Sequence, residues 1–200
     1  MLKDFETLIP FVAVAFTMWA TPGPNNMMLA YSGARFGVVK TLPHVFGILT
    51  GTMLLSTIGI LALKPVIDSW PQSLLLLKIA GSFWLVRIGW KMASATRSSS
   101  TQNKERPMRF LAALLFQFAN PKAITATVAL ASLVWVPAKN NPWLLGTALV
   151  LIPPLCFLAN GPWALVGQTM RRFLSTPLRW RIFTLATGTL TAVCTLFLWI

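Results

Sequence analysis

The chain has 200 residues, 56% of them hydrophobic and only 10% charged, with a mean hydropathy of +0.68. A soluble domain is usually about a quarter charged, so composition argues against a soluble bundle, and the polar–apolar alternation of a membrane barrel is absent. Seventeen Lys and Arg against four Asp and Glu give a net charge of +13, which raises nucleic acid as a partner until the positions of the charges are read.

Six apolar runs follow one another: residues 7–31, 45–63, 74–90, 110–136, 143–167 and 182–200. Each is close to or above the ~20 residues that a spanning helix needs. They predict an all-α membrane protein of six transmembrane helices in one domain. The first run reads as a span rather than a removable signal peptide, because Asp4 and Glu6 lie near its start and no basic cluster or small-x-small site accompanies it.

The first run is interrupted by TPGPNN, Thr21 to Asn26. Pro22 and Pro24 lack N–H donors and obstruct the carbonyls one turn earlier. Gly23 permits close backbone approach. A break some fifteen residues into a helix lies ~22 Å along it at ~1.5 Å per residue, within the bilayer. Backbone groups freed at that depth must be satisfied by protein or by cavity water, and broken helices are a way to build a transporter's substrate site. Thr21, Pro22, Gly23, Pro24, Asn25 and Asn26 are therefore candidates to line one, adding a hydroxyl and two amides.

Further along, His44 opens the second run, where an interfacial imidazole is more often solvated. Lys78 and Arg87 lie within the third run. Arg87 and Lys91, one turn apart, read as anchors that snorkel to the interface. The stretch SATRSSSTQNKERP is the one sizeable polar loop and reads as a flexible connection between two halves of three helices. The fourth run carries a second break, QFANPK, which puts Gln117, Asn120, Pro121 and Lys122 amid apolar sequence. Lys122 stands ~20 Å past the start of its run, too deep for easy snorkelling, so it should face a polar cavity or a partner. Asn160 and Trp163 in the fifth run are candidates for the remaining wall. Cys156 and Cys194 lack metal-ligand spacing and read as packing residues. No metal, cofactor or catalytic group is expected.

The charges alternate with loop parity. Arg35, Lys40, Lys91, Arg97, Lys104, Arg106, Arg109, Arg171, Arg172, Arg179 and Arg181 fall in or beside the odd loops, against Lys3, Lys64 and Lys139 in the N-terminus and even loops. This is the positive-inside pattern. It places the odd loops in the cytoplasm and both termini outside it. The basic excess then serves topology and anionic lipid, and nucleic acid is not expected as a partner. Pro24 and Pro121 are about 97 residues apart, as are Pro65 and Pro162. Three helices per half make the second half enter from the opposite side, the layout of two inverted repeats with broken first and fourth helices. The halves run about 1–92 and 110–200, joined by a cytoplasmic loop at about 93–109.

The stretch TPGPNNMMLAYSGARFG resembles the signature of the LysE/RhtB family of amino-acid exporters, and the likeness covers the whole chain. LLFQFANPKAI, ALASLVWVP and NGPWALVG are most similar to its cysteine and O-acetylserine exporter branch. The resemblance implies a multi-pass protein of the bacterial inner membrane that exports small amino acids by proton-driven antiport. Homoserine, threonine and leucine stay open as substrates.

The residues bear on the substrate class themselves. Asp4, Glu6, Asp68 and Glu105 lie in the N-terminal segment or loops, while the membrane part has Lys78, Arg87 and Lys122. A dibasic substrate would want a carboxylate in the cavity; a neutral zwitterion suits this field better. Its carboxylate could meet Lys122 or an exposed half-helix N-terminus after Pro24, and its ammonium the broken-helix carbonyls with Asn25 and Asn120. Proton coupling commonly uses an intramembrane Asp, Glu or His. Here the candidates are His44 and the amine of Lys122; without either, facilitated diffusion remains. A channel or a non-transporting structural subunit stands as the alternative. Expected partners are the small amino-acid substrate and membrane lipid, with a homo-oligomer left open. Cysteine-accessibility labelling should find Ser99 cytoplasmic and Asp68 and Asn140 on the outer face; a cytoplasmic Asn140 would overturn the orientation.

Overall fold

A computed structural model of the chain describes residues 2–69, 72–95, 106–138 and 141–198. These form eight α-helices and three 3-10 turns, with no strand among the described residues. The helices are α1 (Leu2–Ala20), α2 (Pro24–Phe36), α3 (Val38–Ser69), α4 (Gln72–Ala93), α5 (Phe110–Phe116), α6 (Pro121–Ala138), α7 (Pro142–Met170) and α8 (Pro177–Val193). The first apolar run is thus split into α1 and α2. The fourth is split into α5, a 3-10 turn at Gln117–Ala119, and α6.

Several boundaries differ from the sequence expectation. Helix α1 begins at Leu2 and takes Asp4 and Glu6 into its first turns. Helix α3 runs well beyond residues 45–63 at both ends, so Lys64 and Asp68 lie on helical backbone rather than in a loop. Its early start has a local cause. Gly37 closes α2 at φ 85° and ψ 163°, with its N–H on the Gly33 carbonyl at 3.0 Å, a positive-φ conformation that glycine adopts without strain. The first N–H of α3, from Val38, then donates to Gln168 Oε1 at 2.6 Å. Residues 96–105, with Arg97, Ser99, Lys104 and Glu105, and residues 139–140, with Lys139 and Asn140, lie outside the described residues, as do the side chains of Lys64, Asp68 and Lys78.

Proline punctuates the starts. Helices α2, α6, α7 and α8 each begin on a proline, where the missing N–H is not needed and the fixed φ is already helical. Asn120, Asn141 and Thr176 precede three of them and cap the backbone N–H of Lys122 (3.2 Å), Leu144 (3.2 Å) and Arg179 (3.3 Å). By length and hydropathy, Val38–Leu61 and Pro142–Met170 are clear candidate membrane spans, and Glu6–Ala20, Phe110–Ala119 and Pro121–Val134 are shorter apolar helices. Val39, Phe83, Trp90, Trp143 and Val150 are 72–79% exposed, an outer surface suited to lipid.

Helix α7 is the hub and packs against α1, α2, α3 and α6. Phe11, Ala15, Leu29, Ile48, Leu130, Leu144 and Ile152 fill the interior. Lipid tails are as apolar as these side chains, so close packing rather than dewetting must hold helices together in a bilayer. Small residues make it close. A Cβ on Gly33 would strike the Ala164 carbonyl, and a Cβ on Gly167 would strike the Ala30 carbonyl, so α2 and α7 touch backbone to backbone at two reciprocal points. Gly167→Val should cost about 3 kcal/mol of stability because backbone cannot yield as a side chain can. Gly146→Val, on the same helix with open space beyond it, should cost little. Thermal unfolding of the two purified variants checks this; equal melting temperatures would mean that the α2–α7 contact relaxes.

Candidate functional site

Proline at 22 and 24 removes the donors that the carbonyls of Met18 and Ala20 would have met, and the chain turns away before Trp19, Thr21 and Pro22 can be served. Side chains replace every one. Thr21 Oγ1 donates to Met18 O at 3.3 Å. Asn26 Nδ2 reaches back to Trp19 O (2.9 Å), Ala20 O (3.2 Å) and Thr21 O (2.8 Å). Trp163 Nε1, on α7, donates to Ala20 O at 3.2 Å. Lys122 Nζ, from the second break, donates to Thr21 O, to Thr21 Oγ1 at 2.8 Å and to Pro22 O at 3.3 Å. The negative end of the α1 dipole and three acceptors thus hold one ammonium.

The second break has the same plan. Gly23 and Asn120 are both extended (φ −174°, ψ −177° and φ −88°, ψ 111°), and each stands before a proline that starts a helix. Met27 N–H bonds Gly23 O at 2.9 Å, and Ile124 N–H bonds Asn120 O at 3.0 Å. The breaks are tied a second time by a reciprocal amide pair: Asn25 Nδ2 donates to Gln117 Oε1 at 2.8 Å, and Gln117 Nε2 donates to Asn25 Oδ1 at 3.2 Å. Gln117 Nε2 also donates to Ala113 O at 2.9 Å. Gly23 admits the lysine, for a Cβ there would lie 2.7 Å from Lys122 Cδ and 3.0 Å from Nζ.

Two cavities flank this junction. A chamber of about 20 Å³, the size of one water, is lined by Trp19, Asn25, Asn26, Thr52, Asn120, Lys122 and Asn160 among others. A larger one of about 300 Å³ is lined by Met18, Thr21, Pro22, Pro121, Lys122, Thr125 and Cys194. Lys122 borders both and is their one charged side chain among the described residues. Asn26 Oδ1 and Trp19 Nε1 are buried without a hydrogen-bond partner beside the smaller chamber.

The structure therefore brings Thr21, Pro22, Gly23, Pro24, Asn25, Asn26, Gln117, Asn120, Pro121, Lys122, Asn160 and Trp163 to one region. Asn160 also bonds its own helix, at Cys156 O (3.0 Å). His44 is corrected: it is buried at 1% exposure rather than solvated, both ring nitrogens lack partners, and it lines neither cavity. The reason is that α3 starts six residues earlier than His44 and turns that face inward, in a stripe with buried Thr41, Thr52 and Ser56. Both cysteines pack as expected: Cys156 is a core residue, and half-buried Cys194 packs against the cluster of Met27, Met28, Leu85, Met92 and Phe116 while also bordering the larger cavity. Thr52 and Thr125 were missed. Polar residues at three- and four-residue steps within apolar runs were the available signal. Arg87 and Lys91 are exposed and stand outside both cavities. No cluster of three His, Cys, Asp or Glu suited to a metal occurs among the described residues.

Amides, carbonyls and one cation around a cavity can hold and release a polar ligand. Sequence comparison agrees. A family profile described as LysE type translocator matches residues 16–200. The Cysteine/O-acetylserine efflux protein of Escherichia coli O157:H7 is 32% identical over 156 residues, 76% of this chain and 77% of that protein. Proteins of the same name from Escherichia coli K12 and CFT073 match at the same identity and coverage. No solved structure gives a significant match. With nearly its full length matched, the chain belongs to the LysE type translocators, integral proteins of the bacterial inner membrane that transport and are not enzymes.

Proposed function

We propose that this protein exports small neutral amino acids, of the cysteine and O-acetylserine kind, through a site formed where its two broken helices meet. The observation that carries the reading is the junction itself: Lys122 of the second break bonds Thr21 and Pro22 of the first on the wall of a 300 Å³ cavity. The substrate carboxylate meets the Lys122 ammonium, and the substrate ammonium meets the carbonyls and amides of the first break. Asn25, Asn26, Gln117, Asn120, Asn160 and Trp163 complete the wall. The names of the relatives support the substrate class. Among the described residues no carboxylate lines either cavity, so the side-chain cation of lysine or arginine would meet repulsion from Lys122, about 4 kcal/mol at 4 Å in a medium of intermediate polarity.

We read the fold as a single domain of six spans in two inverted halves, about 1–92 and 110–200. Three features support it. The bonds Met27–Gly23 and Ile124–Asn120 recur about 97 residues apart. Helix pairs recur likewise: α1 and α2 pack on α7 as α5 and α6 pack on α3. Helices α4 and α8 cross at a reciprocal contact, where a Cβ on Gly89 would meet Gly188 O at 2.6 Å and one on Gly188 would meet Gly89 O at 2.5 Å. In such a fold the halves rock about a fixed site and expose it alternately. The odd loops then face the cytoplasm and both termini the outside. Proton coupling, on this reading, runs through Lys122, since it borders both cavities and His44 borders neither.

Efflux of labelled substrates from proteoliposomes tests the proposal. Cysteine or O-acetylserine should leave saturably, with lysine and arginine at least about tenfold slower. Lys122→Met should insert but lose export. Efficient lysine efflux, or wild-type export by Lys122→Met, would overturn the site. Ionic current in place of saturable flux would indicate a channel, and no flux at all a structural subunit.

A further inference from the structure

We propose that Lys122 is a tethered stand-in for the substrate's own ammonium: it occupies the ammonium site at the end of α1 and yields it only to a ligand whose carboxylate takes the lysine in exchange. The inference rests on the reading of the chain as an exporter of neutral amino acids and deepens it.

A primary ammonium has three N–H donors and no acceptor. Thr21 O, Thr21 Oγ1 and Pro22 O supply three acceptors to Lys122 Nζ, at the end of a helix whose dipole favours a cation. The α-ammonium of an amino acid is the same chemical group. Thr21, Pro22 and Lys122 all line the 300 Å³ cavity, so a second ammonium can reach those acceptors without opening the core. Lys122 sits on a flexible four-carbon stem that crosses Gly23. Side-chain rotation alone can lift Nζ away.

Two ammonium groups cannot share three acceptors, so the arriving one must displace the resident one. A displaced lysine in an apolar setting needs an anion, and among the described residues neither cavity offers Asp or Glu. The substrate carboxylate is that anion. An amine without a carboxylate would strand Lys122. A carboxylate without an amine would draw Lys122 away and leave Pro22 O bare, while Thr21 O keeps Asn26. Only a zwitterion satisfies both partners at once. Lys122 is thereby a specificity device for amino acids against simple amines and simple acids.

Equilibrium binding to the purified full-length protein in nanodiscs tests this with three probes: O-acetylserine, its decarboxylated form 2-aminoethyl acetate, and its deaminated form 3-acetoxypropanoate. Wild type should prefer the zwitterion over either half by at least about tenfold, since each half loses one charged contact. In Lys122→Ala the preference should collapse, and 2-aminoethyl acetate and methylammonium should gain at least about tenfold and compete with each other. A Lys122→Ala protein of native elution profile with no gain for either amine overturns the proposal. Should that variant not fold, Thr21→Val removes one acceptor while keeping the lysine. It should weaken the zwitterion and strengthen 3-acetoxypropanoate, and no change in either would be equally fatal. The exporter reading fails separately: wild type would bind no zwitterion, while Lys122→Ala still gained the amines.

Discussion

A helix that stops short at prolines leaves carbonyls without their backbone donors, and this structure is organised around five of them. From Met18 to Pro22 no backbone N–H is available, and the donors are a hydroxyl, a carboxamide, an indole and an ammonium. An unpaired carbonyl in hydrocarbon costs several kcal/mol, so the break can exist only if other helices come to it. Helix α7 comes with Trp163, and α6 with Lys122. The tertiary arrangement of the polar centre follows from the demand of one interrupted helix.

The molecule separates contacts that should stay fixed from contacts that can be exchanged. The α2–α7 and α4–α8 contacts are backbone against backbone through glycine, with no side chain to rearrange. The contacts between the two breaks are hydrogen bonds made by Asn25, Gln117 and Lys122. A polar ligand can replace such bonds at small net cost, because each bond lost is matched by one gained. A transporter needs this division: rigid bodies that move as units, and a seam between them that opens and recloses.

Charge placement fits the same logic. Among the described residues the larger cavity holds one cation and no carboxylate, so its field favours a ligand that brings a negative group. The cation is held by the dipole end of α1 rather than by an acid. On the proposed exchange no permanent ion pair would be broken, only a set of carbonyl hydrogen bonds. His44, buried without a partner, lies apart from this seam and belongs to the inner packing of α3.

The sequence by itself determined the all-helical character, the apolar spans and the positions of both breaks. Proline alone does not break a helix here, since Pro10, Pro153, Pro154 and Pro162 lie inside α1 and α7; TPGPNN and QFANPK interrupt theirs where proline is joined by the polar side chains of Asn26, Asn120 and Lys122 that take over freed backbone groups. It also named the polar residues that gather there, because an amide or a lysine amid apolar neighbours must find company. It did not reveal who would meet whom. The Asn25–Gln117 pair and the Lys122–Thr21 bonds join residues separated by 92 and 101 positions, and composition and periodicity are local quantities. The inward turn of His44 and the cavity-facing turn of Cys194 were illegible for the same reason. Which face of a helix is covered depends on how closely its neighbours approach, and on α3 Gly47 and Gly51 let the backbone of α5 come close.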